Sequence, residues 1–181
     1  LGEAKVYGLE IEFRKNLNNF FNANINASLI ESKQTYGQVE TNLRTLALRD
    51  GETLTGSRQL QGQSPYLINA SLDFNNQNGT RAGLYFNMQG KTLEVVGAGY
   101  NPDIYTHPFE SLNFTFSKSF GQESKKSINL KVENILGSKR ESYAESFRSI
   151  DQIYTFRDPG LKFSLGYSIT VSYTHLRAHE T

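Results

Sequence analysis

The sequence predicts an all-β chain, an antiparallel up-and-down meander that forms part of a transmembrane barrel. Two observations carry that expectation. Apolar residues recur with a period of two in one segment after another, the mark of strands with one apolar and one polar face. The connections between those segments then alternate short and long. Transmembrane barrels have this alternation because tight turns occupy one rim and long loops the other. The polar faces, made mostly of Asn, Ser, Thr, Gln and Gly, suit a wet lumen. A soluble β-sandwich with solvated outer faces, for example a carbohydrate-binding module, is the alternative. It has no reason to alternate its loop lengths.

Taken in order, strands are expected near 5–14, 20–32, 65–75, 81–96, 110–120, 127–136 and 160–171. In the first, Tyr7, Leu9, Ile11 and Phe13 alternate with Gly8, Glu10, Glu12 and Arg14, and a polar link from Lys15 to Asn19 follows. Phe21, Ala23, Ile25, Ala27 and Leu29 make the apolar face of the second. The period is lost between Ser32 and Ser64. Tyr66, Ile68, Ala70, Leu72 and Phe74 define the third strand, and Asn78-Gly79 supplies a hairpin turn. The fourth carries Ala82, Leu84, Phe86 and Met88. A Gly/Asn/Pro-rich loop from Gly97 to Pro108 leads to Leu112, Phe114 and Phe116. After a short charged link come Ile128, Leu130 and Val132, then a long loop from Ser138 to Asp158. The last strand has Leu161, Phe163, Leu165, Tyr167 and Ile169 on one side. On this pattern Leu9, Ile25, Leu72, Phe86, Phe114, Leu130 and Phe163 face lipid. Glu10, Asn24, Asp73, Asn87, Thr115, Lys131 and Ser164 face the lumen. Phe13, Phe20, Phe21, Tyr66, Phe74 and Phe120 fall near strand ends, where barrels place aromatic girdles.

Composition narrows the function. No run of 18 apolar residues exists, so no helix is expected to span a membrane. The net charge of +1 makes no electrostatic case for nucleic acid. The absence of cysteine removes disulfides and thiolate metal sites. A mean hydropathy of −0.52 is compatible with a barrel, in which only alternate residues meet lipid. The chain opens Leu1-Gly2-Glu3 without a leader, which reads as a piece starting inside a longer protein.

The C-terminal third resembles the end of a TonB-dependent outer-membrane receptor of the Bacteroidetes kind. The matching residues are Val132-Glu133-Asn134-Ile135-Leu136-Gly137, the long polar loop, Pro159-Gly160 and the amphipathic final strand. The segments Arg58 to Ala70 and Tyr105-Thr106-His107-Pro108 are similar to entries into late strands of the same receptors. The resemblance implies that 1–171 is the last seven strands of a barrel of about 22 strands whose lumen holds a plug. It implies location in the bacterial outer membrane and energised uptake of a scarce nutrient: a siderophore, cobalamin or an oligosaccharide. The implied partners are outer-membrane lipid, the upstream barrel and plug, the TonB complex and the barrel-assembly machinery. Phe163, Leu165, Tyr167 and Ile169 would form the closing-strand assembly signal. Val171 stands where that family has an aromatic end. The stretch 172–181 resembles a translated sequencing adapter and is read as a non-native tail.

Candidate chemistry is sparse. Glu10 and Glu12 share a face but lack a positioned nucleophile or water, so they read as lumenal charges, not an acid/base pair. His107 reads as a loop contact. His175 and His179 have helical metal-ligand spacing but lie in the adapter-like tail. No catalytic role, cofactor or metal is expected, and a passive porin is the other barrel alternative. Recognition falls to the loop from Ser138 to Asp158. There Tyr143, Phe147, Arg148, Tyr154 and Arg157 suit anionic or ring-bearing ligands.

Overall fold

The computed structural model describes residues 2–76, 78–121 and 125–171. The tail from 172 onward, with its two histidines, lies outside the described residues. Seven long strands form the main sheet: β1 (Ala4–Asn16), β2 (Phe21–Thr35), β4 (Tyr66–Asn75), β5 (Thr80–Gln89), β8 (Phe109–Phe120), β9 (Lys126–Glu133) and β12 (Lys162–Ile169). They pair antiparallel in the order β1-β2-β4-β5-β8-β9-β12, which is the meander expected from sequence. The two-residue β3 (Ser57–Arg58) pairs with the end of β2.

The register places like with like across this wall. Phe13, Ile25, Ala70, Phe86 and Leu112 form one apolar row. Leu72, Leu84, Phe114, Val132 and Phe163 form another. Between such rows lie polar ones: Asn22, Asp73, Gly83, Thr115, Lys131 and Ser164. Directly opposed residues project to the same side, so the sheet has one apolar and one polar face, with the membership read from the sequence. Charges bound the apolar face. In β1 it runs between Lys5 and Lys15, and in β8 between Glu110 and Lys118. Nine residues lie between these charges in β1 and seven in β8, close to the length a tilted strand needs to span hydrocarbon. The Lys118 amine bends away to the turn, donating to Thr80 Oγ1 at 2.7 Å and to Asn78 O at 3.2 Å.

On the apolar side, aromatic rings gather at the short-turn rim. Phe74 lies 5.0 Å from Phe21 and 6.4 Å from Phe20, and Phe120 lies 6.4 Å from Tyr167. On the polar side, Asn24 donates to Ser71 Oγ, and Ser71 and Tyr85 donate to Asp73 at 3.0 and 2.8 Å. The apolar side is uncovered within the chain: Leu9 is 57% exposed and Leu165 78%. A soluble sandwich would bury those side chains against a second layer. Among the described residues no such layer covers them.

The long connections are not loops throughout, and here the structure departs from the sequence reading. The strand expected over 81–96 is two strands, β5 and β6 (Thr92–Val95). They break at Gly90, where a Cβ would meet the Pro65 and Tyr66 rings at 2.9 and 2.8 Å. Ser64 Oγ locks this corner by accepting from Gly90 N–H. The expected loop at 97–108 contains β7 (Asp103–Thr106), and that at 138–158 contains β10 (Arg140–Glu145) and β11 (Gln152–Arg157). These form a second sheet in the order β11-β10-β7-β6. The aperiodic stretch after β2 contains α1 (Gln38–Leu46). All of these elements arise from the long-loop rim.

The two faces predict asymmetric costs. Leu165→Arg, on the apolar face of β12, should destabilise the barrel in a bilayer by about 2–4 kcal/mol, whereas Ser164→Arg should cost under about 1 kcal/mol. Urea titration of the barrel in lipid vesicles measures both, and equal costs would contradict the assignment of the faces.

Candidate functional site

The candidate site is the layer built by the long connections above the wall. Among the described residues it holds the buried apolar side chains, Leu93 and Ile104, and the 1% exposed Ser142. Most of its cohesion is polar. Arg44 on α1 pairs with Asp103 on β7 at 2.8 Å and with Glu40 at 3.1 Å, while Arg58 on β3 reaches Glu40 at 2.9 Å. Asp103 also accepts from Gly97 N–H at 2.7 Å. Burial works to lower the Arg44 pKa, but its hydrogen bond to and charge attraction for Asp103 outweigh this and raise it. Between β7 and β10, Lys91 Nζ lies 2.6 Å from the Glu145 carboxylate and 4.4 Å from the Tyr105 ring centre.

The loop from 134 to 161 is closed at its base by Asn134, a residue of the sequence motif that suggested the receptor resemblance. Its backbone is left-handed, at φ 57°. Its amide donates to Ser138 O and Gly160 O, each at 3.1 Å, and its side-chain oxygen accepts from Ser138 N–H. One buried side chain thus ties both ends of the hairpin to the end of β9. Gly137, at φ 66°, completes the turn.

The five recognition residues expected from sequence are dispersed. Tyr143 on β10 stacks on His107 at 4.2 Å and donates to Glu141 at 2.6 Å, which raises its pKa. Phe147 and Arg148 lie in the β10–β11 connection, where Arg148 sits over the Phe147 ring at 4.9 Å. Tyr154 and Arg157 are exposed on β11. Of the five, Phe147 alone lines a cavity of about 270 Å³ that is also bounded by Tyr36, Arg44, Arg49, Tyr100 and Asp103. Arg49 reaches across to Phe147 O and Ser149 Oγ. Sequence reasoning missed Arg44, Arg49, Arg58 and Asp103. The i, i+4 spacing of Glu40 and Arg44 was the available signal. His107, Glu145 and Asp151 bring ligand atoms within 4.8 Å of one another. The ammonium of Lys91 already neutralises Glu145, so this cluster reads as an ion-pair network.

β1 and β12 flank the wall. Among the described residues the outer edge of each has no partner strand. The four residues expected from sequence to form a closing-strand signal, Phe163, Leu165, Tyr167 and Ile169, are more than half exposed on β12.

Two faces, a charged border and an aromatic rim define the wall of a transmembrane β-barrel. Residues 1–173 match a family model, and the chain belongs to the outer membrane protein beta-barrel family, whose place is the bacterial outer membrane. No curated protein and no solved structure matches it.

Three outcomes are expected. Asp103→Ala, which strands the half-buried Arg44, should destabilise the loop layer by about 3 kcal/mol. Lys5→Ala, which removes an exposed pair with Glu3, should cost under about 1 kcal/mol. Hydrogen exchange at the β7 amides reads the first, and thermal denaturation of the whole barrel the second. The Tyr105 phenol is pushed from its ordinary 10.0 up to about 12, first by burial, then by Asp103 and Glu145. A raised folded value means that the neutral phenol contributes stability below pH 10, lost as pH climbs toward 12. Tyrosine difference absorbance should show a step near pH 12 that Tyr105→Phe removes. Persistence of that step in the variant would contradict the assignment.

Proposed function

We propose that this chain is the C-terminal wall of a TonB-dependent outer-membrane transporter that takes up a scarce nutrient such as a ferric siderophore, cobalamin or an oligosaccharide. The observation that carries the reading is the open wall of seven strands. Its polar face bears a linked Asn24–Ser71–Asp73–Tyr85 network, and among the described residues its two outer edges have no partner strand. An edge in hydrocarbon needs a partner strand, so such a wall fits a barrel larger than itself. Barrels of about 22 strands carry a plug in the lumen. In this reading the plug and the TonB-contacting segment lie upstream, and β12 is the strand read by the assembly machinery. The chain serves as wall and outer gate and performs no catalysis. The resemblance at Val132–Gly137 and in the final strand supports the same choice.

The test is uptake by cells carrying the full receptor, with ferric siderophores, cobalamin and oligosaccharides as probes. Deleting TonB should reduce uptake of the cognate probe to the level of cells lacking the receptor. Uptake that survives TonB deletion would make the protein a passive porin.

A further inference from the structure

We propose that α1 is a docking element whose uncovered apolar side seats an uncharged polypeptide segment from the rest of the same barrel, entering over the outer edge of β1. This rests on the reading that the wall continues past β1. Amphipathic helices ordinarily bury the apolar side and expose the charges; α1 does the reverse. Glu40 and Arg44 are drawn inward to Arg58 and Asp103, with side chains only 21% and 17% exposed. Val39, Leu43 and Leu46, at helical spacing i, i+4 and i+7, fall on a separate side, 73%, 39% and 72% exposed.

The register shows which way this side can be covered. Arg58 stands opposite Gln34 in the β2–β3 pair, so the two project to the same side of the sheet. Gln34 shares its side of β2 with Asn22, Asn24 and Asn26, the lumenal side. Since Arg58 reaches Glu40, α1 stands over the lumenal side of the wall, and lipid is not what covers it. Val39 and Leu43 border a groove of about 540 Å³ with Val96, Ala98, Gly2 and Gln34. The groove opens at the start of β1, where Thr35 N–H donates to Glu3 O at 2.9 Å. The strand that covers the edge of β1 would, on leaving the membrane, arrive beside this opening. The three charges that border the groove, Glu40, Arg44 and Arg58, are spent on one another and on Asp103 beside it. Among the described residues that line the groove no uncompensated charge remains to attract an ionic partner, so the matching surface is apolar.

The chain contains no cysteine, and with any cysteine of the upstream part replaced by serine, single cysteines can be labelled cleanly. Val39→Cys, Leu46→Cys and the control Tyr100→Cys, at a position 87% exposed, are placed in the full receptor on intact cells. They are then treated with a membrane-impermeant maleimide. Positions 39 and 46 should react at least about tenfold more slowly than position 100, as side chains covered at an interface do. The difference should hold with or without nutrient, at low and high expression, and in cells lacking TonB. That last arm separates this inference from transport. Equal rates at the three positions would overturn it. Slow reaction only with nutrient present would identify cargo as the occupant, and slow reaction only at high expression a second copy; either also overturns it. Hydroxyl-radical footprinting of Leu43 and Leu46 in the unsubstituted receptor reads the same surface, so a variant that fails to assemble does not decide the matter.

Discussion

Hydrocarbon offers a backbone no hydrogen bonds, and the wall is organised by that constraint. β1 and β2 pair without interruption from Ala4 with Gln34 to Asn16 with Asn22. Register shifts occur in the upper sheet, at Ser142/Tyr143 and at Leu93/Val95, and none occurs among the described pairs of the wall. A bulge leaves polar groups unpaired, which water above the membrane can tolerate and lipid cannot. The short turns obey the same rule. Asn18 Oδ1 accepts from the N–H groups of Phe20 and Phe21, and Asn76 Oδ1 from those of Asn78 and Thr80.

Because lipid is its apolar medium, the wall needs no core of its own, and burial is inverted relative to a soluble domain. Leu165 and Phe163 are among the most exposed large apolar residues of β12, while Leu93, in the water-facing layer, is fully buried. Sequence changes therefore act by different physics in the two layers. In the wall the question is whether a side chain enters lipid at its depth. In the loop layer it is whether a partner is left unpaired.

This division explains what could be read from the sequence. The seven wall strands and their faces were legible because lipid and lumen impose a strict period of two on every crossing, as at Leu161 to Ile169. The upper sheet was not legible. Its strands are four to six residues long, and β10, Arg-Glu-Ser-Tyr-Ala-Glu, has no apolar alternation because it is held by β7 and β11 and not by one buried face. The helix hid for a related reason: its charges point inward, so the usual pattern of an apolar inner stripe suggested nothing to pack it against. The site residues Tyr143 and Phe147 were picked by composition, which cannot tell that Tyr143 is engaged by His107 and Glu141. Asn134 came as part of a motif, and its role became visible only in the hydrogen bonds that its left-handed backbone permits.

The use of ion pairs to hold the loop layer follows from its position. A layer that stands between the external medium and a polar lumen cannot enlarge an apolar core without exposing apolar surface on one side or the other. Paired charges such as Arg44 with Asp103 are half-desolvated, so their geometry is fixed by neighbours that also need them: Gly97 N–H on Asp103, Glu40 on Arg58. Such pairs contribute less net stability than apolar packing would, because desolvation offsets much of the attraction. They nonetheless penalise misplacement, since a shifted helix would strand a charge in each partner. With α1, β3 and β7 held in one arrangement by this mutual need, a mouth poor in apolar core keeps a definite shape.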